Sequence, residues 1–244
     1  MQNYVFFESE NEKDEAVYRI FGIERLLSIF DKKSLTLVKP KKWDDPFENF
    51  ILKSKASFIN GENVTFDFAN HIYGQCWSLH KETDAMWRIY SHEKNGVKVR
   101  STSRKLRESL ASKVKNPELT AFIGKVLYKN EKDLTSMTQD RTRMQNKIFD
   151  TSGKGHAEAL LFKRKEFTHE KEVRLIYSGN ENDAADDIFS FEINPYQIIE
   201  EIVFDPRMDK NLAKIYEAHF KGIGFQGKIS QSTLYALPNL TIKI

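Results

Sequence analysis

The segment EFTHEKEVRLIY, residues 166–177, places charged residues at the start of a strongly apolar run. Side chains alternate between the two faces of a strand, so Glu170, Glu172 and Arg174 are predicted to share one face. A solvated face with an ion pair explains this pattern without any function. Two carboxylates at this spacing also suit glycosyl transfer, in which one holds a hydroxyl and the other stabilises positive charge at a sugar carbon.

Two aromatic residues lie three positions apart in the segment MWRIYSHEKNGVKV, residues 86–99. The stretch TDAMWRIYSHEKN is predicted to be a helix capped by Thr83 or Asp84, which puts Trp87 and Tyr90 on one helical face. Packing in a core is the usual role of such a pair. The alternative is a stacking platform for a planar ring, which requires at least one of the two rings to face a cleft.

A third charged group, Asp44, Asp45 and Glu48, surrounds Pro46 in the stretch KWDDPFEN. A turn capped by aspartate at a helix start explains this group, and an acidic metal site is the alternative. The six histidines show no His-x-x-x-His spacing, and the chain has no Gly-x-x-x-x-Gly-Lys-Ser/Thr sequence. A zinc site is therefore not expected, a P-loop nucleotidase is excluded, and no metal ligand is assigned.

The composition is that of a globular protein with 244 residues, 40% of them hydrophobic and 12% aromatic. The net charge of +3 is too small to indicate nucleic-acid binding, although the run Lys163, Arg164, Lys165 suits either a phosphate contact or a solvated helix end. The single cysteine, Cys76, lies in a strand-like stretch and is predicted to be buried and inert. No stretch is typical of a signal sequence or a membrane span, so we expect a cytoplasmic protein with no membrane partner.

The elements that must position these residues are both strands and helices. AVYRIF predicts a strand and GIERLLSIFDKK an amphipathic helix; further strands are predicted at SLTLV, YGQCWSLH, GVKVRS, FIGKVLY, EVRLIYS, IFSFEI, EIVFD and KISQSTLYAL, and a helix, with a strand as the alternative, at NVTFDFANHIY. We expect an α+β fold with a mixed, mainly antiparallel sheet and flanking helices. A single domain over residues 1–244 is predicted, with a helical insertion at about residues 129–165.

Several motifs spread over most of the chain resemble those of a known bacterial family. They are WDDPFEN, CWS, MWRIYSHEKNGVKV, FKRKEFTHEKEVRLIY and IEEIVFDPRM. As a set they are similar to the Asn-Asp-Pro-Phe-Glu, Trp-x-x-Tyr and Glu-x-Glu-x-Arg signatures of a domain-of-unknown-function family with members linked to abortive infection, meaning phage resistance. Asp44 and Phe167 depart from the Asn and Trp of that family, whereas its pattern is met by Asp45, Pro46, Phe47, Glu48, Trp87, Tyr90, Gly96, Glu170, Glu172 and Arg174. The family has no settled activity, so this resemblance implies a biological setting more than a reaction.

The order of predicted elements also resembles that of the mono-ADP-ribosyltransferase fold. A strand with Tyr18 and Arg19 precedes an amphipathic helix, and an aromatic helix and a Glu-x-Glu strand follow later. The resemblance implies an enzyme that uses NAD as a substrate, here a candidate toxin or effector of phage defence. It also implies an acceptor macromolecule and leaves an antitoxin or other protein as a candidate partner. A likeness between folds does not by itself establish an activity.

The same resemblance suggests roles for individual residues. Glu172 is expected to stabilise the ribose cation, and Glu170 to orient or deprotonate the acceptor. A second set is expected to bind NAD or to support the glutamates: Arg19 with Tyr18 at phosphate or ribose, Tyr90 with Trp87 beside nicotinamide, and Arg174 in a bidentate pair with Glu172. We expect Glu172→Gln to abolish NAD turnover with little change in thermal stability.

Two other functions remain open from the sequence. A metal-dependent nuclease would collect Mg²⁺ with Asp45, Glu48, Glu170 and Glu172, assisted by a nearby lysine. A non-enzymatic sensing or interaction module would use the same charges structurally. Separate incubations with NAD and with nucleic acid plus Mg²⁺ distinguish these two functions from that of an enzyme that uses NAD.

Overall fold

The computed structural model describes residues 3–43, 45, 56–57, 63–64, 70–179 and 186–238, without the side chains of residues 56–57, 63–64, 141 and 143. Residues 44 and 46–48 of the predicted acidic turn therefore lie outside the described part, as do residues 65–69 of the stretch NVTFDFANHIY. The described residues of that stretch include Asn63–Val64 and the start of Ile72–Ser78, which are strands. The helix prediction is wrong for these residues, because their backbones pair with neighbouring strands.

The chain has the predicted α+β fold, with a large, mainly antiparallel sheet. The strands of the whole described part are β1 (Tyr4–Val5), β2 (Ala16–Gly22), β3 (Ser34–Val38), β4 (Ala56–Ser57), β5 (Asn63–Val64), β6 (Ile72–Ser78), β7 (Gly96–Thr102), β8 (Ala121–Lys125), β9 (Leu127–Lys129), β10 (Phe162–Arg164), β11 (Glu172–Ser178), β12 (Ile188–Glu192), β13 (Glu201–Phe204) and β14 (Lys228–Gln231). Of these, β4 with β5 and β9 with β10 form two separate two-stranded sheets.

The helices flank this sheet. Those in the described part are α1 (Glu10–Lys13), α2 (Ile23–Lys32), α3 (Asp84–Tyr90), α4 (Ser103–Ala111), α5 (Pro117–Thr120), α6 (Glu131–Gln139), α7 (Arg141–Ile148), α8 (Lys154–Ala159), α9 (Pro195–Ile198) and α10 (Lys210–Gly222), with 3₁₀ turns at Pro40–Lys42 and Lys165–Glu170. Apolar residues at helical spacing put one face of α2 in the core, and the Thr83 hydroxyl caps α3 by accepting the Met86 N–H at 3.1 Å.

The main sheet has the strand order β1-β8-β11-β6-β2-β7-β13-β14, with β3 attached to β6 and β12 attached to β3. Its pairs are antiparallel except for β1 with β8 and β13 with β14, which are parallel. The predicted strand FIGKVLY is divided at Val126, because β8 pairs with β11 whereas β9 pairs with β10. The region predicted as a helical insertion contains α6, α7 and α8, followed by β10, which pairs with β9 in a separate two-stranded sheet.

The sheet forks at β6, and this fork creates the site described below. Strand β2 pairs with β6 through Tyr18 and Ser78, and strand β3 pairs with β6 through Val38 and Gly74. The strands β2 and β3 therefore meet β6 near its two ends, and α2 joins them. After Tyr18, β2 forms no further register pair with β6. The next residues of β2 therefore line a gap between the two strands.

Strand β11 lies near the centre of the sheet and separates two apolar layers. Val173, Leu175 and Tyr177 point into the main core, which also receives residues from α2, α4 and α10. On the opposite face, Ile176 belongs to a second apolar cluster that includes Leu160 and Leu161 after α8. Among the described residues, no helix is long and apolar enough to cross a membrane.

Candidate active site

A cavity of about 320 Å³ lies in the fork between β2 and β6. Its walls come from β2, the first turn of α2, β6, α3 and the turn that precedes β11. Five of the seven predicted site residues line it: Tyr18, Arg19, Tyr90, Glu170 and Glu172. The tertiary structure therefore brings together residues from three distant segments of the chain.

The two glutamates lie side by side in the wall of this cavity. Glu170 ends a 3₁₀ turn, Lys171 adopts a left-handed conformation with φ of 41°, and Glu172 begins β11. The prediction of a strand face shared by both glutamates is therefore wrong, because a turn brings their carboxyl groups together. Glu170 is 8% exposed and Glu172 is 6% exposed, and a hydrogen bond joins the two carboxyl groups.

Two buried cations neutralise this pair. The Lys163 ammonium, on β10, donates hydrogen bonds to Glu170 Oε2 and, at 2.7 Å, to Glu172 Oε1. The Arg174 Nε and Nη2 atoms lie 2.7 and 2.6 Å from Glu172 Oε2, so two nitrogens of the guanidinium contact this carboxylate. Because Lys163 is 3% exposed and Arg174 is fully buried, both need these anionic partners.

Aromatic rings cover the two cations. The Trp43 ring lies 4.4 Å from the Arg174 guanidinium, and the Phe167 ring lies 4.6 Å from the Lys163 ammonium. Cations over aromatic faces gain electrostatic attraction, which increases where water is excluded. The rings therefore help to keep both cations fixed beside the glutamates.

The pKa values of the two glutamates are shifted in opposite directions. Burial and the adjacent Glu172 carboxylate raise the pKa of Glu170 to about 7. Burial opposes ionisation of Glu172 as well, but the charges of Arg174 and Lys163 prevail and lower its pKa to about 2. At neutral pH the pair therefore consists of a permanent carboxylate and a neighbour that can accept or release a proton.

Two tyrosine hydroxyls contact this part of the site. The Tyr90 hydroxyl, at the end of α3, donates to Glu170 Oε1 at 3.3 Å, and its side chain remains exposed at the cavity. The Tyr128 hydroxyl accepts the backbone N–H of Glu172 at 2.8 Å and so fixes the start of β11. Burial and the neighbouring glutamate charges raise the pKa of Tyr90, so its hydroxyl remains a hydrogen-bond donor at neutral pH.

Two guanidinium groups also line the cavity, Arg19 on β2 and Arg25 in the first turn of α2. In the described part of the chain neither forms an ion pair with a carboxylate. Burial and the nearby Arg25 charge lower the pKa of Arg19, which still carries its charge at neutral pH. Two unpaired cations close together are unfavourable, and an anion bound between them removes this repulsion.

Trp87 does not share the position of Tyr90. It is fully buried in a cluster with Ile20 and Met86, and its indole N–H donates to Glu82 at 2.9 Å. Tyr90, by contrast, is 42% exposed, because it is the last residue of α3. The structure therefore places one ring of the predicted pair in the cavity wall and the other in the core, and we omit Trp87 from the proposed site.

Trp87→Ala is expected to lower the free energy of unfolding by about 3–5 kcal/mol, because it leaves a cavity next to Ile20 and Met86. Tyr90→Phe removes only a long hydrogen bond at an exposed ring, so its cost should be at most about 1 kcal/mol. Denaturation with urea measures both values. A cost below about 1 kcal/mol for Trp87→Ala would show that this side chain is not part of the core.

Some site residues were not predicted from the sequence. Lys163 appeared only within a basic run, Arg25 and Tyr128 were not considered, and Cys76 was predicted to be inert although it is half-buried in the cavity wall. A weak signal existed for Lys163, since it precedes the Glu-x-Glu motif closely enough to fold back on it. No local pattern distinguishes Arg25 from other charged residues on the exposed side of a helix.

The acids proposed for a metal site are not free in this structure. Asp45 forms an ion pair with Arg164 at 3.0 Å, and both glutamates are bonded to Lys163. Glu48 lies outside the described residues. A divalent cation at the glutamates would have to compete with Lys163 and Arg174, so the charge distribution does not favour the nuclease alternative.

Residues 86–175 match the model of a family described as "Protein of unknown function (DUF2971)". This segment runs from α3 to β11 and contains Tyr90, Lys163, Glu170 and Glu172, but not Arg19. The predicted similarity to a family of unknown function is confirmed over this segment. A comparison with curated protein sequences gives no significant match.

Among solved structures, the chain is similar to DarT from Thermus sp. 2.9. The complex with ADP-ribosylated ssDNA has a TM-score of 0.42 at 12% identity, covering 90% of this chain and 94% of that one. The complex with NAD+ has a TM-score of 0.41 at 11% identity, and the complex with carba-NAD+ 0.40 at 13%, each covering 90% of this chain and 96% of that one. Because these TM-scores are low, the proposal below rests on the geometry of the site itself.

Proposed function

We propose that this chain is an ADP-ribosyltransferase-like enzyme that uses NAD as its substrate. The observation that carries the proposal is the arrangement of charge along one cavity. A buried carboxylate with a proton-exchanging neighbour lines the same cavity as two guanidinium groups that have no carboxylate partner among the described residues. NAD carries complementary charges, a positively charged nicotinamide riboside joined to a diphosphate.

The diphosphate of NAD is expected to bind at the two arginines. Arg19 and Arg25 supply hydrogen-bond donors of fixed charge, which suit phosphate oxygens. Arg25 lies in the first turn of α2, where the helix dipole adds partial positive charge. Tyr18 lies next to Arg19 on the cavity wall and is proposed to contact the ribose.

The glutamates then divide the chemistry at the nicotinamide ribose. As the bond between the ribose carbon and the nicotinamide nitrogen breaks, its electron pair leaves with neutral nicotinamide and positive charge develops on the ribose. The Glu172 carboxylate stabilises that charge, and Glu170 takes the proton of the acceptor nucleophile as it attacks the same carbon. Lys163 and Arg174 keep Glu172 ionised and oriented, and the Tyr90 ring is proposed to lie beside nicotinamide.

The biological setting that we propose is bacterial phage defence, with the chain acting as a toxin or effector on an acceptor macromolecule and controlled by a partner protein such as an antitoxin. The motif resemblance supports this setting. Expression of the wild-type chain should slow the growth of a bacterial host more than expression of Glu172→Gln at equal level. Equal growth of the two cultures would argue against a toxic activity that depends on this site.

The direct test is incubation of the purified chain with NAD while released nicotinamide is measured, beside a parallel incubation with nucleic acid and Mg²⁺. We expect nicotinamide release in the first sample and intact nucleic acid in the second. Cleaved nucleic acid with unchanged NAD would instead support the nuclease. No reaction in either sample, together with no binding of NAD, would support a non-enzymatic module.

Turnover of NAD is expected to rise with pH through a midpoint of about 7, because Glu170 acts as a base only after it has lost its proton. The groups around Glu170 are Glu172, Lys163 and Tyr90, and the raised pKa of Tyr90 keeps its hydroxyl protonated in this range. Glu170→Gln should lower the rate and remove this dependence on pH. An unchanged pH profile in Glu170→Gln would assign the ionisation to another group.

Ionisation of Glu170 is expected to raise the rate of NAD turnover but to lower the free energy of unfolding. The folded-state pKa of Glu170 lies above its ordinary value of 4.5, so the unfolded chain releases this proton more readily. The contribution of Glu170 to the free energy of unfolding is therefore greatest below pH 4.5 and declines as pH rises to about 7. Activity and stability should consequently change in opposite directions over this interval.

A further inference from the structure

A buried polar cluster at the C-terminal end of α3 consists of Asp205, Arg207 and Ser91, none of which lines the cavity. Asp205 follows β13 and is fully buried. Its Oδ2 accepts hydrogen bonds from the Ser91 hydroxyl at 2.6 Å and from Arg207 Nη2 at 2.7 Å, and its Oδ1 accepts the Arg207 Nε at 3.0 Å. Burial opposes ionisation of Asp205, but the bonds from Arg207 and Ser91 prevail and lower its pKa.

The cluster holds the C-terminal end of α3 directly. The Arg207 Nη2 atom also donates to the carbonyl oxygen of Trp87 at 2.9 Å and to that of Ser91 at 2.7 Å. Each of these carbonyls also accepts a backbone N–H at 3.0 Å, that of Ser91 on Trp87 and that of Lys94 on Ser91, so Arg207 adds a second, charged donor at the helix end. Tyr90 is the last residue of α3 and lies between the two bonded carbonyls in sequence.

The close approach of β7 to this helix end completes the support. Ser91 Oγ accepts the Gly96 N–H at 2.9 Å, and the Gly96 carbonyl accepts the Asp205 N–H at 3.0 Å. A Cβ atom at position 96 would lie 2.5 Å from the Ser91 side chain, so the contact requires glycine. The motif residues Gly96, Asp205 and Arg207 therefore all support the C-terminal end of α3, and none of them has a role in the proposed chemistry.

Apolar packing alone leaves α3 weakly fixed. The helix has seven residues, and its buried residues are Met86 and Trp87. Arg88, Ile89 and Tyr90 are exposed, so the last turn makes little apolar contact with the sheet. A short helix end of this kind would fray without polar partners.

We propose that Asp205 and Arg207 are positioning residues that fix the end of α3 and thereby hold the Tyr90 hydroxyl against Glu170. The contacts run without interruption from the Asp205 carboxylate through Arg207 to the Trp87 and Ser91 carbonyls that flank Tyr90, and from Tyr90 to Glu170 Oε1. The inference depends on the proposed function only in taking Glu170 as a catalytic group.

The test is a double-variant comparison of Arg207→Ala, Tyr90→Phe and the two combined, with the titration of Glu170 followed by NMR of isotope-labelled glutamate carboxyl carbons. The Tyr90 hydroxyl donates to Glu170 and favours its ionised form, so Tyr90→Phe should raise the Glu170 midpoint by up to about one pH unit. Arg207→Ala should raise it similarly, because Tyr90 then loses its position. The combined variant should show no more than the larger single shift.

Two further variants keep the experiment decisive. Arg207→Lys retains a charge for Asp205 but lacks the rigid planar fork of the guanidinium that bonds the carboxylate and the carbonyls together, so it should fold and give a smaller shift in the same direction. Arg88→Ala is the matched control, since Arg88 is an exposed arginine on the same helix that pairs with Asp84, and it should leave the Glu170 midpoint unchanged. An unchanged midpoint in the folded Arg207 variants, or additive shifts in the combined variant, would overturn the proposal.

The rate of NAD turnover in the same variants separates this inference from the proposed function. If the wild-type chain consumes NAD, the combined variant should be no slower than Arg207→Ala alone. If the wild-type chain does not consume NAD, the proposed function fails, whereas the Glu170 titration still decides whether the cluster positions Tyr90.

Discussion

Glu172→Gln is expected to lower the rate of NAD turnover by about 10³-fold, which is the typical cost of removing a group that stabilises transition-state charge. Glutamine has nearly the shape of glutamate but lacks the negative charge that the developing ribose cation requires. Release of nicotinamide from NAD measures the effect. Wild-type turnover in Glu172→Gln would remove Glu172 from the chemistry.

The structure changes the expected stability of this variant. Glu172 is the partner of two buried cations, Lys163 and Arg174, and its replacement leaves one of them without sufficient counter-charge. We therefore expect Glu172→Gln to lower the free energy of unfolding by about 3–5 kcal/mol, in place of the small change expected from the sequence. Activity must accordingly be measured where circular dichroism shows the variant to be folded.

A matched control separates loss of stability from loss of chemistry. Glu158, on α8, is bonded to the mostly buried Lys147 and belongs to a different surface pocket. Glu158→Gln should also destabilise the fold, because it removes the anion beside a buried ammonium, while NAD turnover by the folded protein stays at the wild-type level. A similar loss of turnover in both variants would mean that destabilisation explains the effect.

Arg19→Ala is expected to weaken the binding of NAD by about 10²-fold, since charged hydrogen bonds contribute about 1.5–3 kcal/mol each. The free energy of unfolding should stay the same or rise, because Arg19 has no carboxylate partner among the described residues and lies near the Arg25 charge. Loss of binding without loss of stability distinguishes a ligand-binding arginine from a structural one.

Cys76 provides a convenient measurement of this binding. It is the single cysteine of the chain and lines the same cavity, so NAD should protect its thiol from an alkylating reagent. Arg19→Ala should need about 10²-fold more NAD for equal protection. Arg104→Ala is the control, because Arg104 pairs with Asp14 at 3.0 Å outside the cavity, and it should leave protection unchanged. Equal protection of the wild-type chain and Arg19→Ala would exclude Arg19 from the site.

Local patterns in the sequence were sufficient for most of the secondary structure. The apolar spacing in α2, the alternation in β11 and the cap at Thr83 each depend on residues within a few positions of one another. Such short-range preferences act wherever the segment lies in the fold, and so they can be recognised without it. The predictions were wrong where a backbone changed partners, as at Val126, or where a turn interrupted a strand, as at Lys171.

The sequence by itself determined that the chain is an α+β protein, with two acids and an arginine gathered at the start of one buried strand and a pair of aromatic residues on one short helix. Only the tertiary structure decided which of these residues share a cavity. Lys163 reaches both glutamates because β10 folds back beside β9, Arg19 faces the cavity because β2 leaves β6 after one register pair, and Tyr90 is exposed while Trp87 is buried because α3 ends there. The physical reason is that burial and charge pairing depend on contacts between distant segments, which local residue preferences do not specify.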